Sequence, residues 1–272
     1  VTDWRFRRPD RPTLIAGPCV VEGLAVMRET AGRLAELGDA LGIPVCFKAS
    51  FDKANRSRPD AARGPGIEQG LATLEQVRRE TGLPVLTDVH EVHQVGPVAA
   101  VADVLQVPAF LCRQTDLLVA CGGSGRPVNI KKGQWMDPAG MAGAVEKVRS
   151  SSGGAVELAV TERGTFFGYG DLVVDMRGFD EIRRVSGAAV VFDATHSVQR
   201  PGRGAQGSSG GNRAAIPALA LAAAAAGVDG FFIETHPEPA KAASDAETQW
   251  PLAELPALLR RLLRVWLAAR EP

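Results

Sequence analysis

The chain has little of what would take it outside ordinary globular chemistry. No window approaches the ~20 uninterrupted apolar residues of a bilayer span. The opening VTDWRFRRPDRP has no apolar core of the signal-peptide kind, so a soluble protein of the cytoplasm with no membrane partner is expected. Net charge is absent: 31 Lys and Arg stand against 31 Asp and Glu. With no global field, nucleic acid is not an expected partner, and any anion site has to be local. Cysteine is scarce, with four residues at 19, 46, 112 and 121 and no CxxC spacing. That excludes zinc ribbons and thioredoxin-type motifs, and in a cytosolic setting the thiols stay reduced. No Gly-x-Gly-x-x-Gly turn follows the first apolar run, and no Gly-Lys-Ser/Thr closes the glycine-rich stretch at 199–213, so neither common phosphate loop is present. Repeats and linkers are missing too. The 272 residues read as one domain, 1–272, with a short N-terminal extension at about 1–12.

What is present is an alternation. Eight short apolar runs, TLIAGPCVV (13–21), PVCFKASF (44–51), PVLTDVH (84–90), DVLQVPAFL (103–111), PVNIKKG (127–133), VELAVTERG (156–164), AVVFDATHS (189–197) and GFFIETHP (230–237), are separated by segments of helical periodicity such as AVMRETAGRLAELGDALG. Runs that are continuously apolar, rather than alternating, mark strands buried on both faces. Eight such units predict an α/β protein, a (β/α)8 TIM barrel of the usual ~250-residue size. Each run ends in polar or ionisable residues, and in a barrel those ends converge on one mouth, where chemistry is built. The Gly- and Ser-rich QRPGRGAQGSSGGNR (199–213) follows the seventh run, a position suited to a phosphate-ordering lid or to a plain surface loop.

Two groups of side chains belong to that mouth. Lys48, Lys53, Arg56, Arg63, Arg113, Lys131, Lys132 and Arg163 lie at or just after strand ends. Buried ammonium groups are costly unless paired, so these cations fit either anionic ligands bearing phosphate and carboxylate or structural pairs with Glu22, Glu68, Asp88 and Glu162. The second group is Cys19, His196, Glu234 and Asp245, from the first, seventh and eighth units, which are neighbours around a closed ring. A thiolate, an imidazole and two carboxylates could hold a divalent transition metal, with the soft donors favouring zinc or iron over magnesium. Read by residue type alone, Cys19 could equally be core packing or a nucleophile, and Asp245 an ordinary helix cap.

FKASFDKANRSRPDAARGPGIEQGL (47–71), PVLTDVHE, LQVPAFLCRQTDLL, VNIKKGQ, VTERGTFFGYGDLVVDMR, FDATHSVQ and IETHPEP occur in that order, and over nearly the whole chain they resemble 3-deoxy-D-manno-octulosonate 8-phosphate synthases. The resemblance implies a (β/α)8 barrel that condenses phosphoenolpyruvate with D-arabinose 5-phosphate and water, releasing phosphate, for the lipopolysaccharide inner core. Cys19 after the Gly-Pro, with His196, Glu234 and Asp245, resembles the metal-dependent class, which implies a divalent transition metal such as Zn, Fe, Mn or Co. The same resemblance implies that Lys48, Lys53, Asp88, Lys131 and His196 are catalytic. It implies that Gln106, Arg113 and Arg163 contact phosphoenolpyruvate, that Asn55, Arg56 and Ser57 bind the sugar phosphate, and that the protein is a homotetramer. The related heptulosonate synthases carry Lys-Pro-Arg-Thr where this chain has KANR, and Asn55 speaks against them. Gly170 and Asp171 stand where the family has two asparagines, and Arg200 where an aliphatic residue is common. These departures are expected to alter the loop beside Arg163 and the charge near the lid.

Overall fold

The computed structural model describes residues 4–56, 60–204 and 210–271. Eight parallel strands close a ring: β1 (Thr13–Gly17), β2 (Val45–Lys48), β3 (Val85–Asp88), β4 (Val104–Val107), β5 (Val128–Lys131), β6 (Leu158–Glu162), β9 (Ala189–Asp193) and β12 (Gly230–His236). β12 pairs back onto β1 with Thr13 opposite Gly230 and Gly17 opposite Glu234. Helices α1 (Leu24–Leu41), α2 (Ile67–Thr81), α3 (Val92–Val101), α4 (Thr115–Gly123), α5 (Met141–Ser151), α6 (Gly178–Ser186), α7 (Ile216–Ala225) and α8 (Leu255–Ala268) form the outer layer. This is the (β/α)8 barrel that the continuous apolar runs predict. Short pieces interrupt the alternation. A hairpin of β7 (Thr165–Gly168) and β8 (Asp171–Val173) follows β6, β10 (Gln199–Arg200) pairs antiparallel with β11 (Gly210–Gly211), and β13 (Trp250–Pro251) extends the sheet beside β12.

The strands are apolar along their whole length because both faces are covered. One face packs against the helices in the larger core. α8 shows how: Leu255, Leu258, Leu259, Leu262 and Trp266 recur at helical spacing and are all buried, each contributing roughly 1.5–3 kcal/mol. Trp266 Nε1 donates to Val228 O at 2.7 Å, so its polar tip is satisfied. The other face fills the barrel with Ile15, Cys46, Leu86, Val104, Ala159, Ala189, Val191 and Phe232, and Trp4 and Phe6 from the N-terminal extension join that cluster. The extension thus plugs the bottom of the barrel. Cys46, Cys112 and Cys121 are fully buried free thiols within these cores.

Candidate active site

The strand ends meet at a cavity of about 760 Å³ on the C-terminal side of the barrel. Gly17 sets its floor on one side. A Cβ at that position would lie 2.1 Å from the carbonyl oxygen of Lys48, and φ is +151°, so only glycine lets β1 end this close to β2. The close approach delivers the Cys19 carbonyl to Lys48 Nζ at 2.7 Å. Lys48 Nζ also pairs with Glu234 Oε1 at 2.5 Å, both side chains being buried.

Ring closure brings the four residues of the sulfur-bearing arc together. One ligand atom each from Cys19, Glu234 and Asp245 lies within 4.8 Å of the others. His196 falls outside that mutual group, but its Nε2 stands 3.6 Å from Glu234 Oε2 and 3.9 Å from Asp245 Oδ2. Its orientation has a cause: Asp193 accepts the His196 backbone N–H at 2.8 Å and faces Nδ1 at 2.7 Å. Asp193 is held well below the usual carboxylate range; burial opposes this, and His196 and Lys131 overcome it. An ionised Asp193 can only accept, so Nδ1 carries a proton and the ring turns Nε2 toward the carboxylates, the arrangement that orients metal-binding imidazoles.

Glu234 Oε2 is buried without a hydrogen-bond partner. The Cys19 thiol donates to Asp245 Oδ2 at 2.8 Å. Burial, with Asp245 and Glu234 beside it, pushes that thiol well above its ordinary value. An unpartnered carboxylate oxygen, an imidazole nitrogen aimed at it and a thiol crowded by anions form a donor set that a divalent cation would satisfy, displacing the thiol proton. Asp245 is presented from a residue with φ of +50°, fixed by Gln199 Nε2 donating to Oδ1 at 2.9 Å.

Lys48, Lys53, Asn55, Arg56, Asp88, Gln106, Lys131 and Arg163 line the same cavity, with His196, Glu234 and Asp245. Cys19 lies beneath it, fully buried. Lys131 pairs with Asp193 and sits 3.2 Å from the centre of the Phe232 ring. Burial pulls its pKa down to about 8 against the opposing pull of Asp193. Asp88 is held well below its ordinary value; burial opposes the shift, and Lys53 and Lys48 outweigh it. Arg163 is buried and donates to Gln199 Oε1 at 2.7 Å. Arg56 donates to Ala62 O and Ser244 Oγ, each at 2.8 Å, tying the loop after β2 to the loop that bears Asp245.

Other candidates are not brought there. Arg113 is exposed, outside the cavity lining, because a 3-10 turn at Ala109–Leu111 carries the chain away from β4 before α4 begins. Arg63 pairs with Asp52 at the surface. Lys132 is fully buried away from the cavity, 3.4 Å from Glu162 Oε2 and donating to Met136 O at 3.0 Å, which is the structural reading of that lysine. Ser57 lies outside the described residues, as does the 205–209 portion of the lid segment.

Reading by charge and motif missed several neutral or aromatic participants. Gln134, with a buried and unpartnered Oε1, Gln199 and Phe232 all line the cavity, as does His90, visible beforehand only as a strand-end residue. Asp193 was visible only as a strand-end carboxylate three residues before His196, a spacing that does announce its role. Two of the unusual residues turn out to face one another: Arg200 pairs with Asp171, joining the β7–β8 hairpin to β10. Arg203 Nη2 donates to Tyr169 O at 3.2 Å in the space that a side chain on Gly170 would occupy.

Residues 7–264 match the family model described as the DAHP synthetase I family, and the chain belongs to that family of barrel enzymes. A protein of Methylobacillus flagellatus named 2-dehydro-3-deoxyphosphooctonate aldolase is 54% identical over 255 residues, 93% of this chain and 91% of the relative. Proteins of the same name from Aromatoleum aromaticum and Nitratidesulfovibrio vulgaris are each 53% identical over 94% of this chain, and 91% and 92% of their own lengths are covered. Within the larger family, the chain is a member of the 2-dehydro-3-deoxyphosphooctonate aldolases, the 3-deoxy-D-manno-octulosonate 8-phosphate synthases.

Proposed function

We propose that this enzyme joins phosphoenolpyruvate to D-arabinose 5-phosphate, with addition of water, to give 3-deoxy-D-manno-octulosonate 8-phosphate and inorganic phosphate for lipopolysaccharide synthesis. The observation that carries the reading is a cavity lined by Lys48, Lys53, Lys131 and Arg163 in a protein of zero net charge. These cations share the cavity with Asp88, Glu91, Glu234, Asp245 and Glu247; fixed cations at strand ends suit the two phosphates and one carboxylate that the two substrates bring, and the acidic residues leave ligands for a metal and acceptors for the sugar hydroxyls.

Phosphoenolpyruvate is a weak carbon nucleophile. Its C3 has to be held against the aldehyde carbon of the pentose while water adds at C2 and phosphate departs. Lys48, Lys53, Lys131, Gln106 and Arg163 hold its phosphate and carboxylate, and such a fixed electrostatic clamp supplies several kcal/mol without reorganisation. Asn55, Arg56 and Ser57 bind the sugar phosphate, and Asp88 serves its hydroxyl-bearing end. Asp193 holds the His196 ring through Nδ1, so that Nε2 faces Glu234 and Asp245. Cys19, His196, Glu234 and Asp245 would hold a divalent transition metal (Zn, Fe, Mn or Co). When bound, that ion would orient or polarise the aldehyde or lower the pKa of a water molecule. We assign Arg113 no role in its own cavity; an exposed arginine beside α4 suits a contact with a neighbouring copy in a homotetramer. The two phosphorylated metabolites put the reaction in the cytoplasm. Among the described residues no helix is long and apolar enough to cross a membrane.

The test is phosphate release from phosphoenolpyruvate with arabinose 5-phosphate, run beside erythrose 4-phosphate, before and after exhaustive chelation with metal content assayed. Turnover with the pentose phosphate alone, lost on chelation and restored by a divalent ion, is expected. Preference for erythrose 4-phosphate would reassign the substrate. Full activity in metal-free protein would return Cys19 to packing.

A further inference from the structure

Beneath the cavity, Thr161, Asn129, Gln106 and Asp88, on four successive strands of the barrel, form a chain of hydrogen bonds that all run toward Asp88, and Ser50, just after β2, meets Asp88 from the other side. Asp88, Gln106 and Asn129 are neighbours in register across β3, β4 and β5, so their side chains enter the barrel in one layer. Thr161 Oγ1 donates to Asn129 Oδ1 at 2.6 Å, and Asn129 Nδ2 donates to Gln106 Oε1 at 2.8 Å. Gln106 Nε2 then donates to Asp88 Oδ1, and on the far side Ser50 Oγ donates to Asp88 Oδ2.

The direction is forced by chemistry. An ionised carboxylate only accepts, so Gln106 must turn its NH2 toward Asp88 and its oxygen toward β5. That oxygen needs a donor, which fixes the NH2 of Asn129. The Asn129 oxygen in turn needs a donor, which the Thr161 hydroxyl supplies. Asn129 and Thr161 are both fully buried, and neither lines the cavity, whereas Asp88 and Gln106 do.

We propose that Asn129 and Thr161 are positioning residues for Asp88 and Gln106, and that this one-way chain fixes which face of the Gln106 amide meets the substrates. The inference rests on the cavity's reading as the substrate site. With Nε2 donating once to Asp88 and Oε1 accepting from Asn129, Gln106 retains one amide hydrogen for a ligand. Without the Thr161 donor, either the Asn129 oxygen is stranded or both amides turn over, which strands the Asn129 NH2 instead and sets Gln106 Oε1 against Asp88 Oδ1, acceptor against acceptor.

Thr161→Val, nearly isosteric, is expected to lower kcat/KM roughly tenfold, the effect of one stranded buried acceptor, with KM for the substrates carrying most of the change. Thr161→Ser keeps the hydroxyl and is expected to stay within about twofold of the parent. The second arm reads urea midpoints of Thr161→Val in the parent and in Asp88→Asn, whose carboxamide can donate to a turned-over Gln106. In the Asp88→Asn protein the amides can take whichever direction strands the cheaper Asn129 group, so the valine is expected to destabilise it less than the parent.

Equal destabilisation in both backgrounds would overturn the proposal, as would Thr161→Ser failing as badly as Thr161→Val. Unequal destabilisation with unchanged kinetics would reduce the layer to a structural network and also overturn the positioning role. If the parent protein turned over neither sugar phosphate, the substrate reading would fall, and the urea arm would still decide whether the chain is coupled. Should Thr161→Val not fold, Thr161→Cys, with its weak S–H donor, gives the same comparison at smaller amplitude.

Discussion

At the bottom of the barrel, Trp4 and Phe6 lie with Ile15, Cys46 and other apolar side chains in one cluster, and the buried carboxylate beside it, Asp103, pairs with Arg78. At the mouth, Lys48, Lys131, Asp193 and Glu234 are just as buried, yet every one is ionisable. The two ends bury side chains of opposite energetic value. Burial at the bottom stabilises the fold outright, whereas burial at the mouth is tolerated because each charge has a partner. Nature has placed the unstable arrangement where ligands arrive, and the stable one where nothing has to happen.

That contrast breaks most sharply at Glu234. Glu234→Gln removes both a proposed metal donor and the carboxylate beside Lys48, and kcat/KM is expected to fall by roughly three orders of magnitude, while metal content, read by elemental analysis after gel filtration, falls with it. The mirror experiment is Phe6→Ala. It is expected to cost about 3–5 kcal/mol of unfolding free energy in urea, with kcat/KM of the remaining folded protein unchanged within about twofold.

A change of pH sharpens the comparison further, because Lys131 has its pKa drawn down to about 8 from an ordinary 10.5. As pH rises through about 8, kcat/KM, which reports the free enzyme, should decline along one deprotonation. Stability moves the other way. Between about 8 and 10.5 the folded protein has shed a proton that the unfolded chain still binds, so this site's contribution to unfolding free energy rises with pH across that window. Lys131→Met should abolish that rise, and a pH series of urea midpoints checks it. The smallest effect belongs to the rim, where Arg200 and Asp171 are 39% and 50% exposed. Replacing either with alanine should shift stability by no more than about 0.5 kcal/mol, and a larger loss in thermal melts would show that the pair clamps the hairpin.

The bottom and walls of the barrel were legible in the sequence because apolar runs such as PVCF and PVLT need cover on both faces, whatever the rest of the chain does. The charged half of the mouth was legible too: Lys48, Asp88, Lys131 and Glu234 announce themselves at strand ends. Neutral polar residues did not. Asn129 and Thr161 sit inside apolar runs, and nothing local tells a strand-interior amide with a function from one that is merely tolerated. That Arg113 stands outside the cavity lining was not legible, because strand-end position says nothing of the turn that follows. The β7–β8 hairpin escaped notice because Phe167 and Tyr169 adopt positive φ, a conformation that aromatic residues rarely announce.

Ring closure has a consequence for synthesis. Cys19 and Glu234 meet only when β12 pairs with β1, so during translation at roughly 5–20 residues per second the thiol emerges tens of seconds before its carboxylate partner exists. In the finished protein it is wholly screened from solvent. A thiol reagent therefore distinguishes closed rings from open ones, and the residue that would hold the metal doubles as a label for chains that never finished folding.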